Sequence, residues 1–538
     1  MEHGRDTSLE TIVTAAFPPS TLGLHHDPDE WRELQFEALC AAKDAFDSGK
    51  KYVLLEAPPG VGKTDIAIGL ARLIGGGRGM FLTATKDLQD QYAGYGPAKV
   101  IGRGNFICTI DPSHNADRGI CTEGEKCEYA GLRGMDGCGY YNQLRTAVAM
   151  PEIVSNYAYF LPTANYSQGE HAKRFTSLSL LVCDEAHLLR HQLESFASST
   201  SPRRYLQQIG LDLHEGPAST DLRDEDWLDW ARDVKQAVMT TAVERPRPDE
   251  SESDARYRVR KTYAAAKCLL DAADQEGDLP LMLVNKFTIE ARPIWVTHLG
   301  MPMVAKHSSR VLFLSATIGD PSLFMASLGL PTDSNSVAYI PVPSTFEKSR
   351  RPINYWPVMK VAGGAHTDKS AAELIPHIER IIDHHAGQNG IIHTVSYTMA
   401  KAIRDRLDSR FSDRVRIHEG GVSRAQAIAD FRRDGGVILS PSMTTGIDLP
   451  YDGCRWQILV KIPFADKSDP VLKRQLEVDL GKKLYTADTA VTMAQAYGRI
   501  MRAADDWGTT YLLDSNYQWF KGAAGRALPE WFREAVRE

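Results

Sequence analysis

Residues 52–74, YVLLEAPPGVGKTDIAIGLARLI, constrain this chain more than any other stretch. Tyr52–Leu55 is a short apolar run of strand type. Ala57, Pro58, Pro59, Gly60, Val61, Gly62, Lys63 and Thr64 make a glycine-rich turn, after which Ile66, Leu70, Leu73 and Ile74 recur at helical spacing. Strand, glycine loop, Lys-Thr and helix is the context a phosphate-binding loop requires. Glycines let backbone N–H groups close around an anion, the helix N-terminus adds a favourable dipole, and the lysine reaches the terminal phosphates. The Thr64 hydroxyl is the candidate magnesium ligand. Ala57 stands where the usual pattern has its first glycine. The segment predicts a nucleoside triphosphate site.

At 538 residues the chain is too long for one core, and three or four domains are expected. No apolar run approaches the roughly 20 residues that span a bilayer. The polar start MEHGRDTSLE has no signal-peptide pattern, so a cytoplasmic protein is expected. The net charge of −7 argues against a uniformly basic binder but leaves room for a local nucleic-acid groove.

The cysteines are unevenly spread. Cys108, Cys121, Cys127 and Cys138 fall within 31 residues as C-x12-C-x5-C-x10-C, in a glycine-rich stretch poor in core-forming residues. Such a cluster in a cytosolic chain points to metal before disulfide. Four thiolates suit a [4Fe–4S] cluster, with structural zinc as the alternative; no C-x2-C pair supports a zinc ribbon.

Further motifs follow in order. A strand at Met80–Thr83 ends in Thr83-Ala84-Thr85, suited to phosphodiester contact. The run Ser177–Cys183 leads into Asp184-Glu185-Ala186-His187, about 120 residues after the phosphate loop. Asp184 can hold magnesium through water, and Glu185 can orient and deprotonate an attacking water. Residues 191–285 read as mostly helical, and Arg256–Tyr263 interleaves cations with aromatics as a single-strand groove would. Val311–Leu314 runs into Ser315-Ala316-Thr317, and Pro341–Pro357 reads as a linker. A second α/β set holds strands at Gly390–Thr394, Val437–Ser440 and Gln457–Ile462. It also holds Thr444-Thr445-Gly446-Ile447-Asp448 and Gln495-Ala496-Tyr497-Gly498-Arg499-Ile500-Met501-Arg502. Arg499 and Arg502, three apart, share a helix face and can neutralise charge on a γ-phosphate from a neighbouring domain.

The series AxxxxGKT, TAT, DEAH, SAT, TTGID and QAYGRIMR resembles a superfamily 2 helicase, and the cysteine insertion resembles the XPD/DinG family of iron–sulfur DNA helicases. GRGNFIC at 102–108, CGYY at 138–141 and SNYAYF at 155–160 add to the likeness, which covers about residues 30–520. Thr445 replaces a common glutamate, and Gly139 replaces a common proline.

The resemblance implies an α/β protein of two RecA-like lobes. Its divisions would be a leader (1–30), lobe one (31–99, 151–190 and 286–340), an iron–sulfur insertion (100–150), a helical arch (191–285) and lobe two (341–538). It implies ATP-driven 5′-to-3′ movement on single-stranded DNA, with the cluster at the duplex fork. Lys63, Thr64, Asp184 and Glu185 would serve ATP and Mg2+, completed by Gln495, Arg499 and Arg502. Gln35 would read adenine, and Gly446 and Asp448 would couple the site to DNA. Thr83, Thr85, Tyr140, Tyr141, Ser396 and Tyr397 would contact the strand. An RNA helicase and an ATPase-switched remodelling factor are the alternatives. The partners implied are single-stranded and forked DNA, with possible single-strand-binding or repair proteins, and a monomer acting without a membrane.

Overall fold

In the computed structural model, two seven-stranded sheets, each parallel throughout, are built from runs such as YVLLE and LLVCD that are buried at every position. The structure describes residues 17–122, 127–167, 170–202, 281–284, 287–417, 424–441, 451–498 and 505–538, with single positions at 229, 232, 233, 236, 255, 449 and 500. A strand covered on both faces has no polar side, hence the continuous apolar runs. Tyr52 and Leu54 enter one core, and Val53 and Leu55 enter the other.

In chain order the strands are β1 (Tyr52–Glu56), β2 (Gly79–Thr83), β3 (Ala98–Val100), β4 (Glu152–Asn156), β5 (Leu180–Asp184), β6 (Ser199–Pro202), β7 (Leu281–Val284), β8 (Thr288–Arg292), β9 (Val311–Ser315) and β10 (Val337–Pro341). The second lobe continues with β11 (Ile353–Met359), β12 (Gly390–His393), β13 (Val415–Ile417), β14 (Val437–Ser440), β15 (Trp456–Leu459), β16 (Thr509–Asp514) and β17 (Val536–Arg537). The first sheet runs β10-β1-β9-β5-β2-β4-β3, and the second β13-β14-β12-β15-β16-β11-β17. β9 therefore lies between β1 and β5, with Glu56 level with Ser315 and Asp184 level with Leu314. The phosphate loop, the Ser-Ala-Thr segment and the DEAH segment thus leave one edge side by side.

Three expectations need correction. The linker expected at 341–357 is shorter, because β11 already begins at Ile353 and pairs with β16. Pro357 disguised it: the pairing shifts register between Tyr355 and Met359, which accommodates the missing N–H. The mostly helical reading of 191–285 fails at its ends, where β6 and β7 flank β8 in a three-stranded antiparallel sheet. Most of that stretch, with Arg256–Tyr263, lies outside the described residues. The leader is not loose where it is described. Leu22 and Leu24 are buried against the helix Lys63–Ile74, and Arg72 of that helix donates to the carbonyls of Leu22 (2.6 Å) and Gly23 (3.0 Å). No helix among the described residues is long and apolar enough to cross a membrane.

Candidate active site

The phosphate loop owes its shape to two glycines. Gly60 and Gly62 sit at φ of +91° and +83°, where a side chain is strained, whereas Ala57 needs no left-handed backbone and tolerates its Cβ. Ala57 N–H donates to the Ser315 carbonyl (2.9 Å), tying the loop to β9. The helix then starts at Lys63, whose ammonium donates back to the Ala57 carbonyl at 3.3 Å.

Thr64 is buried, and its Oγ1 accepts from Gln91 Nε2 at 2.9 Å. Asp184 at the end of β5 is buried too. Its Oδ2 accepts from the Tyr92 hydroxyl (3.1 Å), its Oδ1 from Glu185 N–H (2.9 Å), and its carbonyl from the Tyr157 hydroxyl (2.8 Å). Burial and the neighbouring Glu185 push its carboxyl up to about 7, against the pull of Lys63. A buried carboxylate facing a lysine across a phosphate loop is a seat for a cation with a triphosphate. Glu185 takes a left-handed backbone (φ +50°), and its Oε2 lies 3.4 Å from His187 Nδ1. His187 Nδ1 also shares a 2.8 Å hydrogen bond with Ser315 Oγ.

β9 completes the junction. The Glu56 carboxylate, raised by burial, accepts from Ile318 N–H (2.7 Å) and Gly319 N–H (3.1 Å). From the second lobe, buried Gln495 donates Nε2 to Thr317 Oγ1 at 3.4 Å. Gly498 lies against the loop, where an added Cβ would stand 3.2 Å from Pro59 Cγ. Two turns before Gln495 on its helix (Asp479–Tyr497), Asp488 pairs with half-buried Arg190, which also holds Glu194 at 2.7 Å. Arg499, Arg502, Gly446 and Asp448 lie outside the described residues.

Gln35 is at the loop but fully engaged. Its Nε2 donates to the Gly62 carbonyl (3.1 Å) and Asp65 Oδ2 (3.0 Å), and its Oε1 accepts from Arg32 N–H (3.1 Å).

The turns after β2 and β12 share a hydrogen-bond pattern, although the central Val395 of the second has a left-handed backbone (φ +64°). Thr83 Oγ1 donates to the Thr85 carbonyl, and Thr394 Oγ1 to the Ser396 carbonyl, both at 3.1 Å. Thr85 Oγ1 then accepts from Leu88 N–H (3.3 Å) and Ser396 Oγ from Met399 N–H (3.1 Å), each capping a helix. Thr83 is buried, while Thr85 and Tyr397 face solvent.

Tyr140 and Tyr141 are buried instead of displayed. The Arg103 guanidinium lies over both rings, at 4.4 and 5.2 Å from their centroids, and donates to Cys121 Sγ (3.0 Å) and the Tyr141 hydroxyl (3.1 Å). The four insertion cysteines are unpaired thiols. Cys108 and Cys121 converge, their sulfurs 3.2 and 3.7 Å from where a Gly119 Cβ would be. Burial pushes the Cys127 thiol up, with Cys121 and Cys138 among the nearby charges. The donor set has thiolate chemistry, yet no three His, Cys, Asp or Glu side chains among the described residues close into a metal-holding group.

Sequence reasoning missed Glu56, Gln91, Tyr92, Tyr157, Arg190 and Asp488. Each acts across long sequence separation, and only Gln91 and Tyr92 carry a weak signal, falling one helical stretch after Thr85.

Two family matches cover the two lobes. Residues 29–209 match the "Type III restriction enzyme, res subunit" family, and residues 378–535 match the helicase C-terminal domain family. The chain is 21% identical over 430 residues to the ATP-dependent DNA helicase YoaA of Escherichia coli strain K12, covering 70% of this chain and 66% of that protein, just under two thirds of its length. Among solved structures, an XPD helicase superposes with a TM-score of 0.61 at 15% identity, covering 92% of this chain and 98% of that one. Xpd4 of S. tokodaii superposes with a TM-score of 0.59 at 16% identity, covering 94% and 99%. With its ordered motifs, paired seven-stranded sheets and matches at both lobes, the chain has the two-lobed fold of the XPD helicases and resembles the XPD/DinG-type superfamily 2 helicases.

Proposed function

We propose that this chain is an ATP-dependent DNA helicase that moves 5′ to 3′ on single-stranded DNA. The observation that carries the reading is the convergence at one sheet edge of Lys63, Thr64, Asp184 and Glu185, with Gln495 reaching Thr317 from the other lobe. Lys63 binds the terminal phosphates. Thr64 and Asp184 would hold Mg2+, which when bound neutralises phosphate charge. Glu185 orients the attacking water and takes its proton. Gln495, Arg499 and Arg502 close on the γ-phosphate from lobe two. Closure moves the turns Thr83–Thr85 and Thr394–Ser396 relative to each other along the strand.

The thiolates of Cys108, Cys121, Cys127 and Cys138 would hold a [4Fe–4S] cluster, which when bound staples an insertion poor in apolar residues. Convergence of the Cys108 and Cys121 sulfurs supports this part of the reading. The division into leader, lobe one, cluster insertion, arch and lobe two, a cytoplasmic, nucleoid-associated place, and a role in repair, replication or recombination belong to the same proposal.

The test is ATPase activity with and without single-stranded DNA, and unwinding of a 5′-tailed duplex. DNA-stimulated hydrolysis and unwinding are expected; stimulation by RNA alone would overturn the DNA assignment. Visible absorption and iron content of anaerobically purified protein, against a Cys108→Ser variant, test the cluster. Zinc without iron would overturn it.

A further inference from the structure

One short helix, Lys86–Ala93, touches both halves of the magnesium seat and begins at an exposed turn. Its cap is Thr85, on the rim where a strand would lie. Its first residue, Lys86, donates to Asn105 Oδ1 at 2.6 Å, joining it to the start of the cysteine insertion. Six residues on from Thr85, Gln91 Nε2 donates to Thr64 Oγ1 (2.9 Å), and the next residue, Tyr92, donates to Asp184 Oδ2 (3.1 Å). Tyr92 is wholly buried and packs on Phe81 of β2, ring centroids 5.0 Å apart. Thr64 stands at the start of the helix Lys63–Ile74 and Asp184 at the end of β5, and the helix Lys86–Ala93 bridges the two.

The same helix holds Gln89, fully buried, with neither amide atom partnered among the described residues. An unpaired buried amide costs free energy in this seat, and a small shift of the helix that pairs it relieves that cost.

We propose that the helix Lys86–Ala93 transmits occupancy of the Thr83–Thr85 turn to the magnesium-binding pair Thr64 and Asp184, with Gln91 and Tyr92 as its positioning residues. The inference rests on the helicase reading above and assigns these residues a part in coupling. A strand seated on Thr85 pulls the helix start, and Gln91 and Tyr92 carry the displacement to the hydroxyl and carboxylate. Neither residue touches ATP.

The experiment measures steady-state ATPase of the full chain against Mg2+ concentration, with and without single-stranded DNA, for the parent, Gln91→Ala and Tyr92→Phe. Gln91 is exposed, so its truncation leaves the core intact even if Tyr92→Phe fails to fold. In both variants the half-saturating Mg2+ concentration is expected to rise about tenfold, and the ratio of DNA-stimulated to unstimulated kcat to fall about tenfold even at saturating Mg2+. KM for ATP and nucleotide-free DNA affinity are expected to stay within about twofold, a split that loss of fold would not give. An unchanged stimulation ratio in Gln91→Ala overturns the proposal and leaves the helicase reading standing. A parent ATPase indifferent to DNA overturns that reading, and this inference with it.

Discussion

Lys63 reaches back to the Ala57 carbonyl at 3.3 Å and so lies folded over its own loop. Lys63→Ala should lower ATPase by roughly a hundredfold or more, since it removes the charge aimed at the transferring phosphate; retained activity would end the site assignment. A second residue-level prediction concerns His307. Burial and the adjacent Lys306 lower it to about 4, and it shares a 2.9 Å hydrogen bond with Asn165. The unfolded chain takes up this proton below the ordinary histidine value of about 6.5, and the native state only below about 4. Stability should therefore fall as pH drops from about 6.5 to about 4 and level off beneath that. Denaturant midpoints across that range should show a weaker slope in His307→Gln than in the parent.

At the scale of elements, the capped turns after β2 and β12 invite a matched pair of substitutions. Thr85→Ala and Ser396→Ala should each cost about 1 kcal/mol of local stability. Hydrogen exchange would register this as faster opening of Lys86–Ala93 and of Tyr397–Arg404. The elements were largely legible in the sequence because a strand buried on both faces is a bare apolar run, as Tyr52–Leu55 and Val437–Ser440 are. β11 was hidden because Pro357 breaks that pattern, and a proline shows no sign of the register shift that absorbs it. β6 and β7 were hidden for another reason: Ser-Thr-Ser-Pro and Leu-Met-Leu-Val are too short to show a period, and their partner in the sheet is β8. In the site, residues with a chemical motif around them were readable. Glu56 was not, because its partners Ile318 and Gly319 are over 260 positions away. Tyr140 and Tyr141 were assigned to DNA through the family resemblance, but they are buried beneath Arg103.

For the whole molecule, charged pairs among the described residues join the two lobes. Arg190 lies half-buried between Glu194 of its own lobe and Asp488 of the other, while Arg292 meets Asp469 at 2.8 Å. Asp488→Asn leaves the Arg190 charge half-compensated and should cost about 2 kcal/mol at the interface, the low end for a pair whose acid is partly exposed. Limited proteolysis should then cut the connector 342–352 faster. On the proposed helicase reading, a net charge of −7 makes strand binding depend on local phosphate contacts. Raising salt from about 50 to about 200 mM should weaken it at least about tenfold, with little dependence on base sequence. Fluorescence anisotropy checks this.

The likeness of the two turns has one more consequence. Thr83–Thr85 and Thr394–Ser396 share the same internal bond at the same 3.1 Å, but Val395 in the middle of the second takes a left-handed backbone (φ +64°) and Ala84 in the first does not. A polymer of one repeating unit would therefore meet two seats closed by the same bond but differently shaped. When the lobes change their spacing, a chain held in both would be gripped more firmly by one seat than by the other. The molecule would then behave as a ratchet whose two teeth differ.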